Sequence, residues 1–68
     1  MVRILLRELL EKNEKSVYWL ANETGIHYNN ITNIVKNKTK SIKYENIEKF
    51  CEVFNCTPND LFEIIKTP

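Results

Sequence analysis

The chain is poor in several residue types, and each scarcity excludes a class of structure. Its 68 residues include one glycine, one histidine and two cysteines. A structural zinc site needs about four Cys or His ligands in short-range pairs, so no metal site is expected. No other cofactor is expected either. The longest apolar runs, such as residues 4–6, are too short to cross a bilayer, and the first residues lack a signal peptide's apolar stretch. We therefore expect one domain, residues 1–68, in the cytoplasm, with no membrane partner and no evident small-molecule ligand.

The two cysteines have three interpretations: a disulfide, half of a metal site, or buried thiols. Cys51 and Cys56 fall on a predicted helix and its exit, beside Phe50 and Phe54. Free cysteines in such apolar surroundings behave as small hydrophobic residues. The sequence favours buried free thiols.

Charge is distributed unevenly along the chain. The net charge is only +1, yet between Thr24 and Tyr44 there are four lysines and no acid. The remainder carries six cations and nine acids, a balance of −3. This lysine segment predicts a local positive field that suits a polyanion, although a solvated loop is the simpler alternative.

Apolar periodicity and capping residues predict five helices. The first, about ten residues long, contains Leu6, Leu9 and Leu10. Ser16 caps the second, residues 17–23, while the third spans 28–36 behind His27, a poor cap. The fourth spans 44–54, and Thr57-Pro58 starts a short fifth helix. That helix is expected to carry Leu61, Phe62 and Ile65. No strand is expected, because no segment alternates with period two over a useful length.

The single glycine lies at the centre of a spaced pattern. Leu20, Ala21, Ile31 and Ile34 surround Gly25 at the spacing of two helices that cross at a steep angle. Glycine adopts the left-handed conformation that such a turn requires. The pattern predicts a helix-turn-helix over about 17–36.

Several residues and short segments follow the pattern of one known family: Ser16, Leu20-Ala21, Thr24-Gly25-Ile26, Ile31, Ile34, 47–51 and 55–61. By these residues the chain resembles the Cro/C1-type, phage-repressor-like helix-turn-helix proteins. The resemblance implies an all-α, five-helix lambda-repressor-like domain that binds double-stranded DNA by placing helix 28–36 in the major groove. It departs from the family at Val17, where a glutamine is common. Leu10 and Val35 stand where many members have an arginine paired with an acid, and we expect them to make an apolar contact.

Helical geometry separates the two faces of residues 28–36. With Ile31 at the centre of the buried side, Asn29, Asn33 and Lys36 lie opposite. Asparagine is a weak helix former but pairs well with adenine. The residues predicted to read bases are Tyr28, Asn29, Thr32 and Asn33. Those predicted to contact phosphates are Ser16, His27, Asn30, Lys36, Asn37, Lys38, Lys40 and Lys43. The alternative is compositional: the chain is rich in Asn, Lys and Ile throughout, and His27 fits a plain surface residue equally well.

The function predicted is a sequence-specific transcriptional regulator, a repressor or autoregulator of bacterial chromosomes or mobile elements, that binds DNA as a homodimer. Candidate pairing residues are Trp19, Phe62, Ile64 and Ile65, for which packing onto neighbouring helices is the alternative. A protein-interaction module, such as an antitoxin-like or adaptor subunit, is the competing function. An enzyme is not expected, because no acid–base pair, glycine-rich loop or Ser/Cys-His arrangement is evident.

Overall fold

A computed structural model describes residues 1–66 of the protein as five helices and one two-stranded antiparallel sheet. The elements in chain order are β1 (Val2–Ile4), α1 (Leu6–Lys12), α2 (Val17–Thr24), α3 (Tyr28–Val35), α4 (Tyr44–Phe54), α5 (Pro58–Leu61) and β2 (Phe62–Ile64). The predicted all-α class with five helices is confirmed, and the strands are a minor addition. No helix in the described part of the chain has the length and apolar character needed to span a bilayer.

The first helix is shorter than predicted, with seven residues instead of about ten. It cannot begin earlier because residues 2–4 are extended in β1. It ends at Lys12 because the chain reverses there: Glu14 takes φ 55°, and the Lys15 N–H donates to the Leu10 carbonyl at 2.9 Å. The polar residues that follow α1 therefore form a tight turn.

The prediction for the end of the chain was wrong, because α5 stops at Leu61 and the next residues form a strand. Phe62 and Ile65 are therefore not helical. The Leu5 N–H donates to the Leu61 carbonyl at 2.7 Å, and β2 then pairs with β1 in the register Val2↔Ile64, Arg3↔Glu63, Ile4↔Phe62. Both strands have one charged residue between two apolar ones, which suits a sheet with one face on a core.

An ion-pair cluster lies on the outer face of this sheet. The Arg3 guanidinium contacts Glu63 on β2 and Glu8 on α1, each at 2.9 Å. Glu63, and then Glu8, raise the pKa of Arg3 through their hydrogen bonds. All three side chains are more than one third exposed, so the cluster contributes little to stability.

Nine apolar side chains form one core, to which every helix and β1 contribute. They are Ile4, Leu6, Leu10, Leu20, Ile31, Ile34, Val35, Phe50 and Leu61. Leu10 and Val35 are buried in this same cluster, at 5% and 8% exposure. The core fixes α3 on its inner side, because three of the eight α3 residues belong to it.

Candidate nucleic-acid interface

The turn between α2 and α3 is built from local backbone geometry. Ser16 caps α2, as predicted, by accepting the Trp19 N–H at 3.1 Å. Gly25 ends α2 with φ 73° and ψ 8°, and its N–H donates to the Ala21 carbonyl at 2.9 Å. The buried Thr24 hydroxyl donates to the Leu20 carbonyl and accepts the N–H of residue 26. These bonds fix the direction in which α3 leaves the turn.

His27 is the N-cap of α3 and fills that position in an unusual way. Its ring Nδ1 accepts the backbone N–H of Asn29 at 3.3 Å. An acceptor nitrogen carries no proton, so the proton of the neutral ring is on Nε2. The side chain is exposed, which leaves Nε2–H free to donate outward. One imidazole can thus cap the helix and also contact a phosphate.

The outward face of α3 carries mainly amide side chains. Asn29, Asn30, Asn33 and Lys36 are all exposed. The Thr32 hydroxyl donates to the Tyr28 carbonyl one turn earlier, at 3.0 Å. That bond occupies the hydroxyl hydrogen, so Thr32 offers a methyl group and an acceptor rather than a donor. The rigid backbone of α3 presents these groups together.

Two tyrosines stack across the helix-turn-helix. The rings of Tyr18 on α2 and Tyr28 on α3 have centroids 4.5 Å apart and planes inclined by 27°. Tyr18 is 68% exposed and Tyr28 39% exposed, so the pair lies at the surface. The sequence predicts a DNA contact for Tyr28 but not for Tyr18. The two tyrosines are ten positions apart and on different helices, so no local sequence pattern indicates that their rings stack.

A groove of about 530 Å³ runs between α1 and α3. The buried Leu10 and Val35 form its floor. The charged residues that line it are Arg7, Glu11, Lys15 and Lys36. Arg7 and Lys15 were missed by sequence reasoning, because they lie outside the lysine segment and beside acids in the sequence. Three cations against one acid make this border of α3 positive.

Residues 37–43, which form the C-terminal part of the lysine segment, border the opposite flank of α3. Lys36, Lys38, Lys40 and Lys43 are exposed, and the ion pairs found within residues 1–66 both belong to Arg3. A second groove, of about 310 Å³, separates α3 from this loop and the start of α4. Its polar lining residues are Asn30, Asn33, Thr39, Ser41, Lys43 and Asn46. Thr39, Ser41 and Asn46 had not been identified from the sequence.

Asn37 has a role inside the fold. It adopts φ 59° directly after the C-cap of α3, so the chain leaves this helix through the left-handed region. Its Oδ1 accepts the Ile4 N–H at 2.7 Å, and its Nδ2 donates to the Ile4 carbonyl at 3.2 Å. Both ends of the amide are therefore engaged with β1. One Nδ2–H is not used in these bonds, so a phosphate contact by Asn37 stays a prediction.

The candidate pairing residues have different environments. Trp19 is half-buried against Phe54, with ring centroids 5.9 Å apart, and the Lys15 ammonium lies 5.2 Å from its ring centroid. Phe62 is half-buried and packs against the core. In contrast, Ile64 is 72% exposed and Ile65 41% exposed. Among these candidates, the exposed apolar surface therefore consists of Ile64 and Ile65 at the end of β2.

The comparisons with known proteins agree with this architecture. The family model of the Cro/C1-type helix-turn-helix DNA-binding domain matches residues 5–67. A crystal structure of a candidate DNA-binding protein from Bacteroides fragilis is similar in fold, with a TM-score of 0.82 and 24% identity, over 93% of this chain and all of that one. No curated protein matches the sequence.

The match covers the helix-turn-helix, the α3 face and the lysine segment. The predicted five-helix, lambda-repressor-like architecture with a central helix-turn-helix is confirmed. By its sequence and its fold, the chain belongs to the Cro/C1-type helix-turn-helix DNA-binding domain family.

Proposed function

We propose that the protein is a sequence-specific transcriptional regulator that reads its operator with α3 in the major groove. One observation supports this most directly: an exposed row of asparagines on α3, with positive borders on both flanks of the helix. A B-DNA major groove is about 12 Å wide and admits one helix. A helix in that groove has a phosphate strand on each side.

Asn29 and Asn33 are the proposed base-reading residues. They are one helical turn apart on the outward face of α3 and both are exposed. An asparagine amide can donate to N7 and accept from N6 of adenine through one flat group, which distinguishes adenine by about 1–3 kcal/mol. The Thr32 methyl and the Tyr28 ring offer apolar contacts to a thymine methyl. The preferred site should therefore be rich in A·T pairs.

The phosphate contacts are proposed on two sides. The Ser16 hydroxyl, Arg7, Lys15 and Lys36 belong to the α1 side of α3. Lys38, Lys40 and Lys43, with Asn30, supply the other side, and the outward Nε2–H of His27 lies at the α3 N-terminus. Such contacts position the protein without specifying sequence and make its affinity sensitive to salt.

We propose that two copies bind a two-fold operator through the outer edge of β2. Met1 and Ile65 exchange backbone hydrogen bonds at 3.0 and 2.7 Å, so the odd-numbered residues of β2 face β1. By strand alternation, the Ile64 N–H and carbonyl point away from β1. The Phe62 N–H is already bonded to the Pro58 carbonyl. Antiparallel self-pairing is therefore centred on Ile64 opposite Ile64 of the second copy.

This pairing would also cover apolar surface. Val2 and Ile64 are opposite each other on one face of the sheet and are 64% and 72% exposed. A second copy places four β-branched side chains in one row across a four-stranded sheet. So short a strand contact buries less than a standard interface, and we therefore expect the dimer to form on DNA more readily than in solution.

Repression in the bacterial cytoplasm is the proposed mode of regulation, because a protein that occupies a promoter blocks that promoter without any further contact. Activation would require a further surface that contacts polymerase.

The test is selection of random duplex DNA by the purified protein at two salt concentrations. The Asn29→Ala/Asn33→Ala variant removes the proposed readout, and Asn59→Ala removes an exposed amide on α5 as the matched control. We expect enrichment of an A·T-rich inverted repeat by the wild type and the control, and its loss in the double variant. Enrichment that is unchanged in the double variant would contradict base reading by α3.

The competing function is a protein-interaction module, which the exposed Ile64 and Ile65 favour. Absence of any DNA enrichment at low salt, together with salt-insensitive binding of a protein, would support that function instead.

A further inference from the structure

The end of α4 brings the two cysteines together. Asn55 adopts φ 51° and ψ 51°, and its N–H donates to the Glu52 carbonyl at 3.3 Å. The Cys56 N–H donates to the Cys51 carbonyl at 2.9 Å. These two bonds define a Schellman motif, in which the residue after the left-handed one contacts the residue five positions earlier. In this chain those two residues are Cys51 and Cys56.

The two thiols are neighbours at the protein surface and remain accessible. Burial is the main cause that raises the pKa of Cys56, and the adjacent Cys51 thiol is the next. Both side chains are half-buried rather than enclosed. Both line a surface hollow of about 550 Å³. A small reagent in solution can therefore reach the pair.

A metal site does not account for this pair. Within residues 1–66, no group of three or more His, Cys, Asp or Glu side chains is arranged to hold an ion. Two thiols alone leave a zinc ion without two of its usual four ligands. What two adjacent, reachable thiols can do is exchange with a disulfide.

We propose that Cys51 and Cys56 are a dithiol modification site that low-molecular-weight disulfides oxidise reversibly to an intramolecular disulfide. The Cys51 thiolate attacks one sulfur of the reagent, RSSR, and expels one thiolate RS⁻. Cys56 then loses its proton to solvent, and its sulfur attacks Cys51 Sγ in the mixed disulfide and expels the second RS⁻. The balance is two cysteine thiols and RSSR giving one protein disulfide and two RSH.

The surroundings of Cys56 favour one order of the two steps. Thiolates, not thiols, attack disulfides. Because burial raises the Cys56 pKa, Cys56 is the poorer first nucleophile. Cys56 therefore serves as the resolving residue.

The bridge would fasten a turn that connects α4 to α5 and β2. It would leave α3 and the lysine segment untouched, since neither lines the hollow that contains the thiols. Oxidised and reduced protein should therefore bind DNA equally well. The proposal is independent of the DNA-binding function and can fail without it.

The experiment uses the full chain equilibrated in mixtures of reduced and oxidised glutathione, acid-quenched, alkylated and weighed by mass spectrometry. We expect a monomer that has lost two hydrogen atoms and takes up no alkylating reagent. The effective concentration of the thiol pair should be at least about tenfold higher in the native protein than in concentrated urea, because the turn already holds the two cysteines close together. Equal values in the two conditions would overturn the proposal.

Two conservative variants separate the roles of the thiols. Cys56→Ser should accumulate a stable mixed disulfide on Cys51, whereas Cys51→Ser should acquire glutathione more slowly. Circular dichroism verifies that both are folded. Wild-type protein that carries two glutathione adducts, or that forms cross-linked dimers, would contradict the internal bridge. Faster modification of Cys51→Ser would contradict Cys51 as the attacking residue.

Discussion

The side-chain amide of Asn37 pairs with the backbone of Ile4 as a neighbouring strand would. Its Oδ1 accepts the Ile4 N–H at 2.7 Å, and its Nδ2 donates to the Ile4 carbonyl at 3.2 Å. Ile4 is 6% exposed, so these backbone groups have little access to water. The bonds connect the segment directly after α3 to β1, and through β1 to the end of the chain. The orientation of α3 thus depends on a contact between residues 33 positions apart.

Asn37→Ala should lower the free energy of unfolding by about 2–3 kcal/mol, because it leaves two backbone groups of Ile4 unpaired and places alanine at φ 59°. Asn37→Gly loses the same bonds without the backbone strain and should recover about 1 kcal/mol of that loss. Urea unfolding measures both. If the two variants are as stable as the wild type while DNA affinity falls, Asn37 acts on phosphate and not within the fold.

His27 should show separable effects on stability and DNA binding. His27→Ala removes the cap of α3 and should cost about 1 kcal/mol of unfolding free energy. His27→Ser retains a capping oxygen and should match or exceed the wild type in stability. If Nε2–H contacts a phosphate, both variants lose DNA affinity to a similar degree. Thermal unfolding and fluorescence anisotropy with one duplex distinguish these effects, and full DNA affinity in His27→Ser would contradict the phosphate contact.

Gly25 is required for its backbone conformation and not for space. A Cβ added at Gly25 would meet no atom within 4 Å, yet φ is 73°. Gly25→Ala should therefore destabilise the fold by about 1–2 kcal/mol. Gly25→Asn should cost less, because asparagine tolerates this region better than alanine. Equal losses for the two substitutions in a denaturant titration would show that strain is not the cause.

Charge removal on either flank of α3 should reduce the salt dependence of DNA binding. Arg7→Gln and Lys40→Gln should each lower the slope of log affinity against log salt by about 0.9 and leave the preferred sequence unchanged. Lys12→Gln is the matched control, because Lys12 lines a different hollow, with Phe54 and Asp60. Anisotropy titrations at several salt concentrations measure the slopes. An equal change in the control would mean that only net charge matters.

The β2 edge can be tested by two lysine substitutions with opposite expectations. Ile64→Lys opposes two like charges across the dimer axis and should weaken dimerisation on DNA about tenfold. Ile65→Lys faces Glu63 of the second copy in the same register and should retain the dimer. Gel shifts on one and two half-sites measure the cooperativity of each variant. Identical behaviour of the two variants would exclude this register.

The helix-turn-helix was predictable because its signals are local. The Ser16 cap, the left-handed Gly25 and the apolar spacing from Leu20 to Ile34 all act within about 20 residues, and the structure shows each as the sequence predicted. The outward position of Asn29 and Asn33 followed from helix periodicity alone. Their contact with bases remains a prediction.

The positive border beside α1 was missed for the opposite reason. Arg7 and Lys15 lie at least 13 positions before α3 in the sequence and are interspersed with acids. Only packing of α1 on α3 brings them to the same groove as Lys36. A linear charge pattern cannot show which residues share a groove.

The sequence by itself determined the number and order of the helices, the position of the turn and the side of α3 that faces the core, because helix periodicity and capping depend on near neighbours. Tertiary structure alone decided that residues 62–64 form a strand. Three residues are too few for alternation to be recognised, and Phe62 to Ile64 become extended only because β1, about 60 residues earlier, supplies the hydrogen-bond partners. The pairing of Asn37 with Ile4 has the same origin: a side chain at the end of one helix meets a strand whose position is set by closure of the whole chain.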